Sequence, residues 1–346
     1  MLSAPCWLWW AAVVTLLLLG FVSSAVGRRM LLLTLFVLHA SALFLGVSRP
    51  GVRLLGQPTV YEDYRDVLEF LKGDLGFNRV HISTRFLLLP GLTAKQGMMK
   101  RLQVVNDYEP LMPARYAEFL AAVTPPSDTF HPFAGAYELR PTSRWPLLDL
   151  MGTKYFAMVI GEPAEVFMAS HPGAFISRYT HWPSRLYERP NALPRSFVVT
   201  RARSFRTGNE VLAALQSGSF DPREEVLLED AVLESDQAPA NASAPGSAEI
   251  LSYDPEHVVV DANVQYAAYL VLTDLFYPGW TAYIGDHQTP MYRADYLFRA
   301  VRLEPGRSRV RFVYTPASLR AGFTVSGVAL AVLGMVAITS KHRSAH

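Results

Sequence analysis

One cysteine, Cys6, serves the whole chain of 346 residues. An intrachain disulfide is therefore excluded, and so is any metal site built from several cysteines. A chain of this length can bury a core without crosslinks. Charge is scarce too: Asp, Glu, Lys and Arg make up 18% of the sequence, against about 25% in a soluble domain. The shortage is local. Residues 1–47 carry only Arg28 and Arg29, and nearly all other charges fall between Arg49 and Arg320. A net charge of +2 gives no sign of the clustered basic surface that nucleic acid requires. A mean hydropathy of +0.15 fits neither a disordered chain nor one made only of membrane helices.

The usual catalytic signatures are missing as well. His81, His131, His171, His181, His257 and His287 are scattered, with no HExxH, HxH or EF-hand spacing, so no metal is expected. No GxSxG elbow is present, and no glycine-rich phosphate loop follows a strand. No cofactor is expected.

Three apolar runs are present instead: about Trp7 to Val26, Met30 to Val47, and Ala321 to Thr339. Each has the 18–20 residues or so that cross a hydrocarbon core of roughly 30 Å. The first lacks the positive start of a cleaved signal peptide, and none of the three has a polar face. Arg28 and Arg29 separate the first two runs, and Lys341, His342 and Arg343 follow the third. Lys and Arg concentrate on the cytoplasmic side. The Arg28–Arg29 turn and the C-terminus are thus expected on the cytoplasmic side of the membrane, with residues of about 48–320 outside. His39 is the one ionisable residue within a run, read as a helix-to-helix hydrogen-bonding group rather than a proton relay. The first run must then start outside, which is natural for the C-terminal part of a longer polytopic protein, or for a truncated relative of one.

The aqueous region reads in parts. VYEDYRDVLEFLKGD has Val60, Tyr64, Val67, Leu68 and Leu71 at helical spacing, and FNRVHIS follows as a strand. A second helix is expected near Pro113–Val123, with the proline in its first turn. LLDLMGTKYFAMVI reads as a short helix or turn entering a buried strand. RLYERPNALPRSFVVTRARSF gives two strands around Pro190-Asn191-Ala192, NEVLAALQ a helix ending near Gly218, and EEVLLED a further strand. Residues 235–248, SDQAPANASAPGSA, form a linker or long loop. Beyond it, four stretches dense in Val, Tyr, Phe, Leu and Ile, with turns at Asp254-Pro255, Gly285-Asp286 and Pro305-Gly306, predict an antiparallel β-sandwich.

The expected fold is a membrane protein: about three transmembrane α-helices plus a large extracytoplasmic α+β region ending in an antiparallel β-sandwich. Two membrane helices occupy 1–48, the α+β region 49–234, the linker 235–248, the sandwich 249–318, and the last helix with its cytoplasmic tail 319–346.

The stretch LTDLFYPGWTAYIGDHQTPMYRADYLFRAVRLEPGRSRVRFVY, residues 272–314, resembles the YfhO family of bacterial membrane proteins. Three upstream stretches look like the same family in the same order. They are VNDYEPL with Arg115-Tyr116, LLDLMGTKY from Leu147, and YERPNALPR from Tyr187. Full-length members resemble C-type glycosyltransferases, which use polyprenyl-phosphate-linked sugars outside the membrane. In that superfamily the catalytic acid sits in a first outer loop near the N-terminus. This chain has no such loop, so no catalytic residue carries over. The resemblance implies the C-terminal part of a protein transferring a glycosyl group to a cell-envelope glycopolymer or lipid. The implied partners are the bilayer, a polyprenyl-phosphate sugar, an envelope glycan and a separate membrane-helix subunit. A non-catalytic glycan-binding or assembly module is the alternative, and a transporter-associated protein a third.

Two sets of candidate residues follow. Asp107 and Glu109 could supply a base for an acceptor hydroxyl, although Asn106 and Asp107 also suit a turn. Asp149 is expected to cap a helix or meet Arg144 or Lys154. Tyr277, Trp280, Tyr292, Arg293, Asp295, Tyr296 and Arg299 gather around one hairpin. Aromatic faces beside charged groups suit a sugar or a lipid headgroup. The same aromatics equally suit a sandwich core or a membrane interface.

Overall fold

The structure is a computed structural model of the chain that describes residues 65–83, 101–106, 112–124, 138–218, 220–231 and 246–343. Cys6, Arg28, Arg29, His39, the first two apolar runs, Asp107, Glu109 and most of the 235–248 linker lie outside the described residues. The chain divides into two compact units, Met1–Val60 and Tyr61–His346, and the described residues all belong to the second.

The first layer is a helix on a sheet. Helix α1 (Arg65–Asp74) places Val67, Leu68 and Leu71 at i, i+1 and i+4, all buried. They meet Val80 and Ile82 of β1 (Arg79–Ile82) and Tyr155 and Ala157 of β2 (Thr153–Val159). Strand β1 runs parallel to β2. Strand β4 (Ser184–Glu188) pairs antiparallel with β2 and with β3 (Ile176–His181), giving the order β1-β2-β4-β3. Side chains alternate across β2. Phe156 and Met158 therefore face away from α1, into a second core with Trp145, Phe167 and Phe175. Trp145 meets Phe175 edge-on at 5.0 Å and stacks on Phe167 at 5.7 Å. Each such pair contributes about 0.5–1.5 kcal/mol beyond its buried area.

The expected helices are found. Helix α2 (Ala114–Val123) follows Pro113, which stands at its N-cap, and α3 (Trp145–Leu150) leads into β2. Helix α4 (Pro163–Ala169), with proline in its first turn, is added to them. Helix α5 (Gly208–Gln216) starts with a capping box: Thr207 accepts from the Glu210 N–H, and the Glu210 carboxylate accepts from the Thr207 N–H.

Two further sheets form a sandwich. The six-stranded sheet contains β5 (Ser196–Val199), β6 (Arg201–Phe205), β7 (Glu225–Glu229), β10 (Ala268–Leu272), β13 (Tyr292–Ala294) and β14 (Phe298–Leu303), in the order β5-β10-β14-β13-β7-β6. The five-stranded sheet contains β8 (Gly246–Tyr253), β9 (His257–Val264), β11 (Trp280–Ile284), β12 (His287–Thr289) and β15 (Gly306–Tyr314), in the order β12-β11-β15-β9-β8. Between them lie Val198, Leu270, Leu272, Val301 and Leu303 from one side and Val258, Val260, Ala282, Val310 and Phe312 from the other.

Residues 246–314 thus contribute antiparallel pairs only. The expected sandwich differs in two respects. Half of the six-stranded sheet, β5 to β7, comes from before the linker, and its β6–β7 pair is parallel because α5 carries the chain back over. Strands β4 and β5, expected to flank one turn, enter different sheets. Period-two alternation is clear in β9, with Val258, Val260, Ala262 and Val264 all inward. It is lost in β10, where every residue is buried. Strand β10 lies between the sandwich core and the core of α2 and α5, so both of its faces are apolar.

The last element, α6 (Ala317–Arg343), covers the third apolar run. Phe323, Val325, Val328, Leu330 and Val332 are all exposed. At about 100° per residue they fall on two opposite sides of the helix, with small residues, Thr324 and Ser326 between them, so residues 321–332 carry no charged face. Among the described residues, no helix is long and apolar enough to cross a membrane. Described side chains on α6 stop at Val332.

Candidate functional site

A cavity of about 430 Å³ lies where the three sheets meet. Each of the four stretches singled out in the sequence contributes to its wall. Val105 and Tyr116 come from the first, Met151 from the second, Arg195 from the third, and Asp274, Trp280 and Arg299 from the fourth.

Asp274, just past the end of β10, is buried at the centre of three arginines. Arg195, just before β5, donates from Nε to Oδ1 at 2.8 Å and approaches the same oxygen with Nη2 at 2.6 Å. Arg79, at the start of β1, is 3.4 Å away through Nη2, while its other N–H groups are taken by the carbonyls of Met151 and Thr273 and by Thr273 Oγ1. The Tyr253 hydroxyl, from β8, meets both carboxylate oxygens at 3.1 Å and bonds Arg195. Burial alone would raise the Asp274 carboxyl. The charges of Arg195, Arg79 and Arg299 outweigh it and hold the carboxyl below its usual value. Burial pulls Arg79 down to about 10, with repulsion from Arg195 adding to the effect.

Arg299 is held differently. Its Nε donates to the Leu275 carbonyl at 3.0 Å, and its Nη2 stays 3.9 Å from Asp274. The guanidinium stacks on Trp280, 3.7 Å from the ring centroid. Its Nη1 is buried with no hydrogen-bond partner. Burial brings Arg299 down to about 10, which leaves it charged at neutral pH.

Trp280 ties this wall to the base of α6. Its ring lies 5.2 Å from that of Tyr314, and the Thr315 N–H donates to the Gly279 carbonyl at 2.8 Å. Gly279 has φ +103, and a Cβ there would come within 3.0 Å of Pro316 and Tyr314, so glycine is required for the close approach.

The candidate hairpin residues therefore separate. Trp280 and Arg299 line the cavity. Tyr277 is 47% exposed outside it. Tyr292 packs edge-on against Tyr269 at 6.1 Å. Arg293 lies 4.3 Å from the Phe276 ring centroid and 3.5 Å from Glu229. Asp295 is fully buried and accepts the Leu227 N–H on Oδ1 at 2.8 Å. Its Oδ2 has no partner, and burial pushes the carboxyl up to about 7. The Tyr296 hydroxyl bonds Glu118 beneath the Arg115 guanidinium. Asp149 neither caps α3 nor meets Arg144 or Lys154. It forms a buried two-point pair with Arg189, which joins the LLDLMGTKY and YERPNALPR stretches. Lys154 instead reaches Asp74.

Sequence reasoning missed Arg79, Arg195, Tyr253 and Asp274. Arg195 and Asp274 stood inside motif stretches and could have been noticed. Arg79 and Tyr253 carried no local signal. Among the described residues, no group of three or more His, Cys, Asp or Glu is placed to hold a metal ion.

No curated protein and no solved structure matches the chain. A family model, described as bacterial membrane protein YfhO, matches residues 237–326. That segment runs from β8 to the first turns of α6 and includes Asp274, Trp280 and Arg299. The three upstream stretches lie outside it. The match covers less than half of the chain, and over that segment the chain is similar to the YfhO family of bacterial membrane proteins.

Proposed function

We propose that the chain is the extracytoplasmic and membrane part of a YfhO-like protein that takes part in glycosyl transfer. The sugar would come from a polyprenyl-phosphate carrier and pass to a cell-envelope glycopolymer or lipid. Residues of about 48–320 would lie outside the cytoplasm, held by helices at both ends. The exposed apolar surface around α6 supports the C-terminal tether.

The observation that carries the reading is the convergence of four separate motif stretches on one cavity that combines Trp280 with arginine. A π-face beside charged donors suits a sugar bearing polar groups. In this division of labour the folded domain binds the acceptor, and a separate set of membrane helices supplies the lipid-sugar site.

One observation favours a second reading, a glycan-binding or assembly module without chemistry. Asp274, the carboxylate at the cavity's centre, is engaged by two arginines and a tyrosine and held below its usual pKa. It is therefore a poor general base. Deleting the gene and profiling envelope glycans tests the transfer role. Loss of one glycosyl substituent, restored by the intact gene, is expected. An unchanged profile sinks the transfer reading and leaves the binding module.

A further inference from the structure

We infer that the cavity holds an oxyanion, the phosphate or carboxylate group of a glycan or lipid, with Arg299 as its principal contact. This deepens the proposed glycan-binding role and rests on it.

The argument begins with charge. Three guanidinium groups, Arg79, Arg195 and Arg299, surround one buried carboxylate, Asp274. Two positive charges are left in excess on side chains that are themselves largely buried. Asp254 also lines the cavity but is exposed, and counting it still leaves a net cation. Tyr116 and Tyr253 do not balance the excess, since burial raises both phenols and keeps them neutral. Uncompensated charge in a low-dielectric setting is costly, and a bound anion removes that cost.

The three arginines are not equivalent. Arg79 and Arg195 are tied to carbonyls, to Thr273 and to Asp274, and serve to join the sheets. Arg299 has one hydrogen bond to a carbonyl, a loose approach to Asp274, and Nη1 unpartnered although the residue is only 4% exposed. Trp280 covers one face of the guanidinium, so its N–H edge is what remains to a ligand. A planar fork of N–H donors matches a phosphate or carboxylate and no neutral sugar hydroxyl as well.

The test uses the full chain in neutral-detergent micelles, titrated by calorimetry with glycerol 3-phosphate and glucuronate, and with glycerol and glucose as uncharged controls. Nanodiscs of phosphatidylglycerol and of phosphatidylcholine form a second arm, read by thermal shift. Binding of a soluble anion but not its neutral counterpart points to a glycan-borne group. A shift only in phosphatidylglycerol points to a lipid headgroup. Either supports the inference if Arg299→Met weakens binding by about 10- to 100-fold, the range for a charge-assisted hydrogen bond. Arg299→Lys keeps the charge without the fork. It should lose less, and it carries the test should the methionine variant not fold. No anion preference in any arm overturns the inference, as does unchanged affinity in a folded Arg299 variant. Loss of envelope glycan in the deletion strain without anion binding would sink this inference alone. Anion binding with an unchanged glycan profile would sink the transfer role alone.

Discussion

Arg195 grips Asp274 across 79 positions of sequence, with Nε at 2.8 Å and Nη2 at 2.6 Å from the same carboxylate oxygen. This pair fastens the start of β5 to the end of its antiparallel neighbour β10, and Arg79 brings β1 of another sheet to the same point. Asp274→Asn should therefore be severe. It leaves three buried guanidinium groups without a counter-charge, and breaking such a pair costs about 3–5 kcal/mol. Urea unfolding of the solubilised chain should show the loss, and a midpoint within error of the parent would refute the latch.

Asp149 and Arg189 make a second buried pair, with the Leu193 N–H also bonding the Asp149 carbonyl at 2.9 Å. Burial raises the Asp149 carboxyl, and Arg189 opposes that rise. Asp149→Leu should destabilise by about 3–5 kcal/mol, while adding Arg189→Met to it should recover much of the loss. Comparing the four melting curves of this cycle gives the coupling, and additive single effects would rule the pair out as a unit.

Asp295 responds to pH with the opposite sign to Asp274. Its folded pKa of about 7 stands above the ordinary 3.8. Between those values the folded chain holds a proton that the unfolded chain has lost, so stability from this group is present below 3.8 and disappears as pH climbs to about 7. Glu225, on the adjoining strand, adds to the rise, and the Leu227 N–H opposes it. Asp295→Asn keeps the acceptor for Leu227 and tolerates the φ of +46 at this position. The variant should be more stable than the parent at pH 8, with the gap closing towards pH 4. A pH-independent difference in midpoint contradicts the assignment.

Gly279 fixes how the Trp280 wall meets the base of α6. Gly279→Ala forces a left-handed φ on alanine and presses its Cβ against Pro316. A cost of about 1–3 kcal/mol is expected. Hydrogen exchange should locate the disturbance at Thr315, whose N–H bonds the Gly279 carbonyl. Unaltered protection at Thr315 would show that this joint is not under that constraint.

Much of the local structure could be read directly. The capping box at Thr207, the spacing of Val67, Leu68 and Leu71, and the alternation of β9 are short-range patterns whose physics lies within a few residues. The candidate site residues divide between the cavity wall and the packing around it. Trp280 and Arg299 line the cavity, whereas Tyr292, Arg293, Asp295 and Tyr296, close by in sequence, do not. Those four pack within the fold: Tyr292 meets Tyr269, Arg293 stands opposite Arg299 but turns to Phe276 and Glu229, and Asp295 and Tyr296 sit in a turn at positive φ.

The sequence by itself determined the apolar runs, the order of most helices and strands, and the similarity of residues 237–326 to the YfhO family. These depend on local composition and periodicity. Only the tertiary structure decided that β5 to β7 complete the sandwich sheet, and that Arg79, Arg195 and Arg299 converge on Asp274. Such contacts join residues up to 195 positions apart. Their energy comes from burying charge among groups that no sequence window brings together.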